Sequence, residues 1–353
     1  MKRFKIKQKG IELYQAGLPH FPRNFTRDSI ISTLLSGDNN MLKNQLIFCA
    51  IKQGKKNNPL TGEEPGKIHH ESPGYKMPNG RFTDYNGCDT TGLYLIGLSS
   101  FPNLAKKQKG NIIRATDYIL SHLDKKGVFI EDPKFCGDDK FGLKVTFWKD
   151  SAMVNRKDGQ PIYPVVYPLA HIQNMCGLRS AAKLLDSKEL KKKAELMANT
   201  LPELFDEKSG NFYLAIDKLG KIHGVSSDAL HSLFYLNPED LSKKQLEKIV
   251  KSSKVLETPI GYRTLAVKGV KYGDYDYSQQ VWPFEQAIIH SGARKFGLPG
   301  IADVSSRIMN MLEKNSSPEI IIVDKKKFIK NSCDPQLWTL AAKKYFESNN
   351  IKK

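Results

Sequence analysis

Read for the spacing of its apolar positions, the chain is mostly helical. Helix-period stretches fall at 28–36, 41–52, 90–100, 104–123, 165–185, 188–205, 241–252, 284–296, 299–314 and 335–347. "IKQKGIELYQA" and "SSDALHSLFYL" bring the count to roughly a dozen. Several stretches come in pairs. "PLAHIQNMCGLRSAAKLL" is apolar on most sides, whereas "SKELKKKAELMANTL", which follows it, has a single apolar stripe. Strand-like alternation is confined to short pieces near 128–130, 212–216 and 320–323.

Buried helices alternating with one-sided ones predict an all-α fold in two layers, an inner ring of helices surrounded by an outer one. No fixed-period repeat of a solenoid is present, and no Pro/Gly/Ser-rich linker divides the chain, so one domain over residues 1–353 is expected. In such a ring, the loops at one end of the inner helices converge, and chemistry belongs there.

Composition narrows the picture. Apolar residues make up 40% of the chain, enough for a core, yet runs such as "LIFCAI" and "EIIIV" are too short to cross a bilayer. The basic start "MKRFKIKQKG" lacks the apolar stretch of a secretory signal, and a cytoplasmic protein without membrane partners is expected. The five cysteines have no CxxC spacing and outline neither a disulfide framework nor a zinc site. A net charge of +18 comes mainly from lysines on polar helix positions, as in "ELKKKAEL" and "LSKKQLEK". That pattern is a solvated face rather than the arginine forks of a nucleic-acid reader, and no nucleic-acid partner is expected.

The loops are unusual. "GLPHFPRNFTRDS", "TGEEPGKIHHESPG", "TDYNGCDTT", "TFWKDS", "KYGDYDYSQQVWPFEQ" and "NSCDPQLWT" mix aromatic rings with acids, amides and basic groups. A sugar site needs this mixture: rings stack on the apolar face of a pyranose, and charged groups take its hydroxyls. Trp148, Trp282 and Trp338 all fall in these loops, within four residues of an acid. Asp28, Asp89 and Asp334 stand just before helix patterns, where N-capping accounts for an aspartate, although a capping acid can still offer its second oxygen to a ligand.

Seven segments occur in the same order as in a known family: "GLPHFPRNFTRDS", "TGEEPGKIHHE", "DYNGCDTTGLYLI", "TFWKDS", "IGYRTL", "VWPFEQAIIHSGARKFGL" and "SSPEIIIVD…CDPQLWT". Together they resemble the amylo-α-1,6-glucosidase family, the glucosidase part of glycogen-debranching enzymes, within the wider α/α-barrel glycosidases. The resemblance implies an (α/α)6 toroid that hydrolyses an α-glucosidic bond with inversion. It implies Asp150 of "WKDS" as general acid and Glu319 of "SPEI" as general base. The implied sugar-binding positions are Arg27, Asp28, Glu64, His70, Glu71, Asp89, Trp148, Lys149, Trp282, Glu285, Gln336 and Trp338.

The chemistry is self-consistent. Glycoside cleavage with inversion needs one carboxylic acid to protonate the leaving oxygen and a second carboxylate to activate water on the opposite face. A cation beside the acid would lower its pKa, so the Lys149 ammonium is expected to face away from Asp150, onto a sugar hydroxyl or another carboxylate. No ligand spacing calls for a metal or cofactor. The expected substrate is a short oligosaccharide or small glucoside. A glucosylglycerate or mannosylglycerate hydrolase on the same fold, and a catalytically inactive sugar-binding protein, remain alternatives.

Overall fold

In the computed structural model, twelve α-helices stand among the described residues, which are 1–149, 156, 160–266, 271–272, 275–312, 316–324 and 327–351. They are α1 (Thr26–Ser36), α2 (Asn39–Lys52), α3 (Thr90–Leu98), α4 (Pro102–Lys107), α5 (Lys109–Ser121), α6 (Pro168–Leu185), α7 (Lys188–Ala198), α8 (Asp228–Ser232), α9 (Lys243–Ser253), α10 (Pro283–Lys295), α11 (Pro299–Ser306) and α12 (Leu337–Ser348). Their contacts close a ring, in which α1 packs on α3, α3 on α6, α6 on α8, α8 on α10, α10 on α12, and α12 back on α1. Outside it, α2 packs on α1, α5 on α3 and α6, α7 on α6, α9 on α8, and α11 on α10. This is an α/α toroid.

The two layers differ as the apolar pattern requires. In α3 every residue except Ile96 is buried, whereas in α9 only Gln245, Ile249 and Ser253 are. Close approach of inner helices is set by glycine. A Cβ at Gly92 in α3 would lie 2.5 Å from the carbonyl oxygen of Gln173 in α6, and one at Gly177 in α6 would lie 2.8 Å from Gly92 Cα, so α3 and α6 pack backbone to backbone because both glycines lack a side chain. Starts are marked locally. Pro168 and Pro283 open α6 and α10, where a missing N–H costs nothing. Ser242 and Gln245 form a capping box on α9. One apolar cluster runs from Ile30 to Phe346 through both layers.

Several expectations need correction. Residues 6–16 are not a helix but part of a hairpin, with Lys5–Gln8 paired to Ile11–Tyr14. Its turn places Lys9 and Gly10 at φ of 47° and 79°, a left-handed pair that ends any helix and suits a hairpin. Phe4 and Tyr14 of this unit pack on Met41 and Leu337, covering the seam between α2 and α12. The stretch 104–123 is broken at Gln108, and 299–314 passes into a 3-10 turn at Arg307. The fold is also not purely helical, because small antiparallel sheets stitch the loops. The one that matters most joins Gln280–Val281, Ile320–Asp324 and Lys327–Asn331.

Candidate active site

At the end of the ring where α1, α10 and α12 begin, the loops enclose a cavity of about 440 Å³. Its wall includes Arg27, Asp28, His70, Glu71, Trp148, Trp282, Glu319 and Trp338, residues drawn from separate parts of the sequence. Short sheets bring them together. Asn24–Phe25 pairs with Glu71–Ser72, setting the start of α1 beside Glu71. Gln280 and Val281 pair with Ile322 and Ile321, setting Trp282 beside Glu319.

The three tryptophans form a continuous aromatic corner. Trp148 meets Trp282 edge to face at 5.8 Å, and Trp282 meets Trp338 at 5.6 Å. Phe284 stacks on Trp338 from behind at 4.0 Å. The indole N–H of Trp338 is buried and has no acceptor among the described residues. A donor left in this state in a cavity wall is suited to a ligand oxygen.

Glu319 is the residue before the strand Ile320–Asp324, and the ends of its hairpin hold it. Its N–H donates to the Cys333 carbonyl at 2.8 Å, while Ser332 Oγ and, at 3.4 Å, the Cys333 N–H both donate to its Oε2. Burial raises the pKa of this carboxyl, and the two donors oppose the rise by favouring the carboxylate. Asp28 is pushed up to about 8, first by burial; the Arg27 guanidinium pulls it down and the Glu319 charge pushes it up. Glu71 accepts hydrogen bonds from Arg23 Nε and Thr83 Oγ, and burial raises it against both. His70 is held well below its ordinary value by burial and then by Arg27, so its ring is neutral. Its neighbour His69, pushed down to about 3 by burial, packs on Phe48.

Other expected positions, Asp89, Gln336 and Glu64, lie behind the wall, and Arg27 reaches back from the wall to the first of them. Arg27 forms a two-toothed ion pair with Asp89, donating from Nε at 2.6 Å and Nη2 at 2.9 Å. Asp89 stands at the N-cap of α3 but makes no side-chain cap bond there. Asp28 is inside α1, after the N-cap position held by Phe25, and Asp334 takes Ser316 Oγ and Ser317 N–H in the loop before α12, whose N-cap is Gln336. The N-capping account of Asp28, Asp89 and Asp334 is therefore replaced. Gln336 Oε1 accepts the Leu337 N–H at 2.9 Å. Glu64 is not on the cavity wall: Lys67 Nζ lies 2.8 Å from one oxygen and His122 Nε2 lies 2.7 Å from the other.

Lys149 is buried, and its ammonium sits 3.0 Å from Asp228 Oδ1 while donating to Ser227 Oγ and the Thr264 carbonyl at 3.1 Å. Trp148 Nε1 donates to the same Asp228 oxygen at 2.9 Å. Glu285 accepts from Ser227 Oγ at 2.7 Å and lies 3.4 Å from His231. Ligand atoms of Asp228, His231 and Glu285 fall within 4.8 Å of one another, a spacing that could hold a cation. The Lys149 ammonium already supplies positive charge to that cluster. Asp150, two residues after Trp148, lies outside the described residues.

Sequence reasoning missed several wall residues: His20, Phe21, Arg23, Phe25, Tyr75, Met77, Thr83 and Leu143. Arg23 stood in plain view within "FPRNF", yet its partner Glu71 is 48 residues away, and no local spacing joins them. Nor is any described helix long and apolar enough to cross a membrane.

No family model matches the chain, and no curated protein does. Solved structures do. The GH63 mannosylglycerate hydrolase from Thermus thermophilus, in complex with Tris and D-glycerate, superposes with a TM-score of 0.69 at 12% identity, over 98% of this chain and 97% of that one. The same enzyme in complex with glucose gives 0.66 at 11% identity, over 95% of each chain. An uncharacterized conserved protein from that organism gives 0.65 at 12% identity, also over 95% of each. At this identity the likeness establishes the fold alone, an α/α toroid. It does not reach the narrower debranching family.

Proposed function

We propose that the chain is a glycoside hydrolase, an inverting, exo-acting α-glucosidase that cleaves an α-glucosidic bond in a short oligosaccharide or small glucoside. The observation that carries this reading is Glu319, a buried carboxylate on the wall of a tryptophan-lined cavity that it shares with Trp148, with Asp150 following two residues after that tryptophan in the chain. Glu319 is the general base: two donors on Oε2 favour its ionised form and orient it to activate a water. Asp150 is the general acid. Its neighbour Lys149 has its charge met by Asp228, which spares the acid an uncompensated cation.

Trp148, Trp282 and Trp338 offer faces and edges to the sugar ring, and the free Trp338 N–H meets a hydroxyl. Asp28, with a pKa of about 8, retains its proton at neutral pH and donates to the sugar rather than competing with Glu319 for the role of base. Arg27 serves chiefly to hold α1 against α3 through Asp89, from its place on the cavity wall.

A second reading, a hydrolase of glucosylglycerate or mannosylglycerate, draws on two observations. Arg23 brings a guanidinium, already paired with Glu71, to the cavity wall, where it suits a carboxylate, and a fold neighbour is solved in complex with D-glycerate.

The deciding experiment is proton NMR of the purified protein with isomaltose, panose, maltotriose and glucosylglycerate, beside Asp150→Asn. Initial release of the β-anomer, lost in the variant, supports the inverting α-glucosidase and names the linkage, with the α-1,6 bond tested first. Turnover of glucosylglycerate alone moves the assignment to the second reading. Line broadening without turnover of any member identifies a sugar-binding protein instead.

A further inference from the structure

The cavity does not end at its mouth. A second groove of about 260 Å³ shares Met77 and Leu143 with it and continues over Pro78, Asn79, Lys144 and Gln160. The deep end of the cavity is closed by the buried Trp338 and Arg27, whereas Met77 and Leu143 are partly exposed, so the groove leads outward from the open side. Its two walls are tied together in advance. Asn79 Nδ2 donates to the Phe141 and Gly142 carbonyls at 3.0 and 3.3 Å, and Arg81 pairs with Asp138 at 2.5 Å.

The chemistry of the groove is that of a carbohydrate subsite. Met77, Pro78 and Leu143 give an apolar strip for a ring face, while Asn79 and Lys144 bring polar groups to the rim. Gln160 Oε1 is buried with no hydrogen-bond partner among the described residues, an acceptor for which a hydroxyl donor is missing. Two residues before Met77 stands Tyr75, 56% exposed, on the cavity wall and with the Arg23 guanidinium 5.5 Å from its ring centroid. An exposed ring held in this way is a stacking platform.

We propose that this groove is an aglycone subsite, and that the substrate is an oligosaccharide of at least three sugar units whose leaving portion crosses Tyr75 and the Met77–Leu143 saddle. The inference rests on the glycosidase reading and adds the length of the substrate to it. A glycerate aglycone, with three carbons, would leave the groove empty.

The test compares kcat/KM for isomaltose with isomaltotriose and for maltose with maltotriose, in the native chain and in Gln160→Ala and Pro78→Trp. Binding energy from a remote sugar raises kcat/KM for the longer member by about tenfold or more. That ratio collapses toward one when Pro78→Trp fills the groove, and falls partway in Gln160→Ala. Equal kcat/KM for both lengths in the native chain, or a length advantage that survives both variants, overturns the inference. If no glycoside is turned over, the glycosidase reading fails and the groove is judged by calorimetry. Tighter binding of maltotriose than maltose, lost in Pro78→Trp, supports the subsite; equal affinity removes it.

Discussion

Ser332→Gly tests whether Glu319 is the base and how its charge is maintained. Ser332 Oγ is the close donor to Glu319 Oε2, and the other donor to that oxygen in the hairpin, the Cys333 N–H, is long at 3.4 Å. Burial raises the pKa of Glu319, and the serine is the largest group opposing it. A hydrogen bond to a charged acceptor contributes about 1.5–3 kcal/mol, and about 1.4 kcal/mol corresponds to one pKa unit. Removing the hydroxyl therefore withdraws that support from the ionised form and lifts the carboxyl further. Glycine suits the position because Ser332 sits at φ 64°, so the substitution relieves backbone strain. The base acts only when ionised, so a higher pKa removes activity from the acid side. The ascending limb of kcat/KM against pH moves to higher pH. A variant with a native melting curve and an unmoved limb would refute the role of Glu319 as base, and a limb moved to lower pH would refute the direction of the serine's effect.

Three further outcomes follow from the same geometry. Glu64 is held down at about 2 although burial raises it, because Lys67 and His122 overcome the burial. Its folded pKa lies below the ordinary value of 4.5, so it stabilises the fold above that value and the benefit is lost as pH falls toward 2. Glu64→Gln should cost about 3 kcal/mol near neutrality, read by urea unfolding, with the difference from the native chain shrinking on acidification. Arg27→Ala leaves Asp89 buried and unpaired and should cost about 3–5 kcal/mol; an unchanged urea midpoint with only a raised KM would make Arg27 a sugar ligand rather than a strut. Trp338→Phe keeps the ring and removes its unpartnered N–H, and the loss of one hydrogen bond to sugar should lower kcat/KM by about fivefold, whereas an unchanged value would mean that no hydroxyl reaches it.

The two layers of the toroid were legible because burial leaves a periodic mark. Outer helices such as α7 and α9 carry one apolar stripe, whereas α3 carries mostly apolar and small residues all round and α6 is apolar on most sides, with His171, Gln173 and Asn174 buried among them. The N-terminal hairpin was not, since Ile6, Ile11 and Leu13 fit a helical period as readily as an alternating one. The left-handed Lys9–Gly10 pair decides between them, and only Gly10 signals it. The tryptophan corner was visible as aromatic residues displaced from helix periods, and the structure brings all three into contact. What escaped was every pairing across the chain. Asp228, which takes both the Trp148 N–H and the Lys149 ammonium, is 80 residues from Trp148 and lies in an unremarkable "SSD".

Asp89 shows why such pairings defeat local rules. Its position before α3 satisfies every preference for an N-cap, a contribution of about 1 kcal/mol. The buried guanidinium of Arg27 must have a carboxylate or leave an uncompensated charge, at a cost of about 3–5 kcal/mol. The ion pair, the stronger of the two demands, takes both oxygens of Asp89, and the cap bond is not made. At this end of the ring a carboxylate that spacing marks as a cap can be claimed instead by long-range charge, because the helix starts that converge on the cavity are also where its buried cation lies.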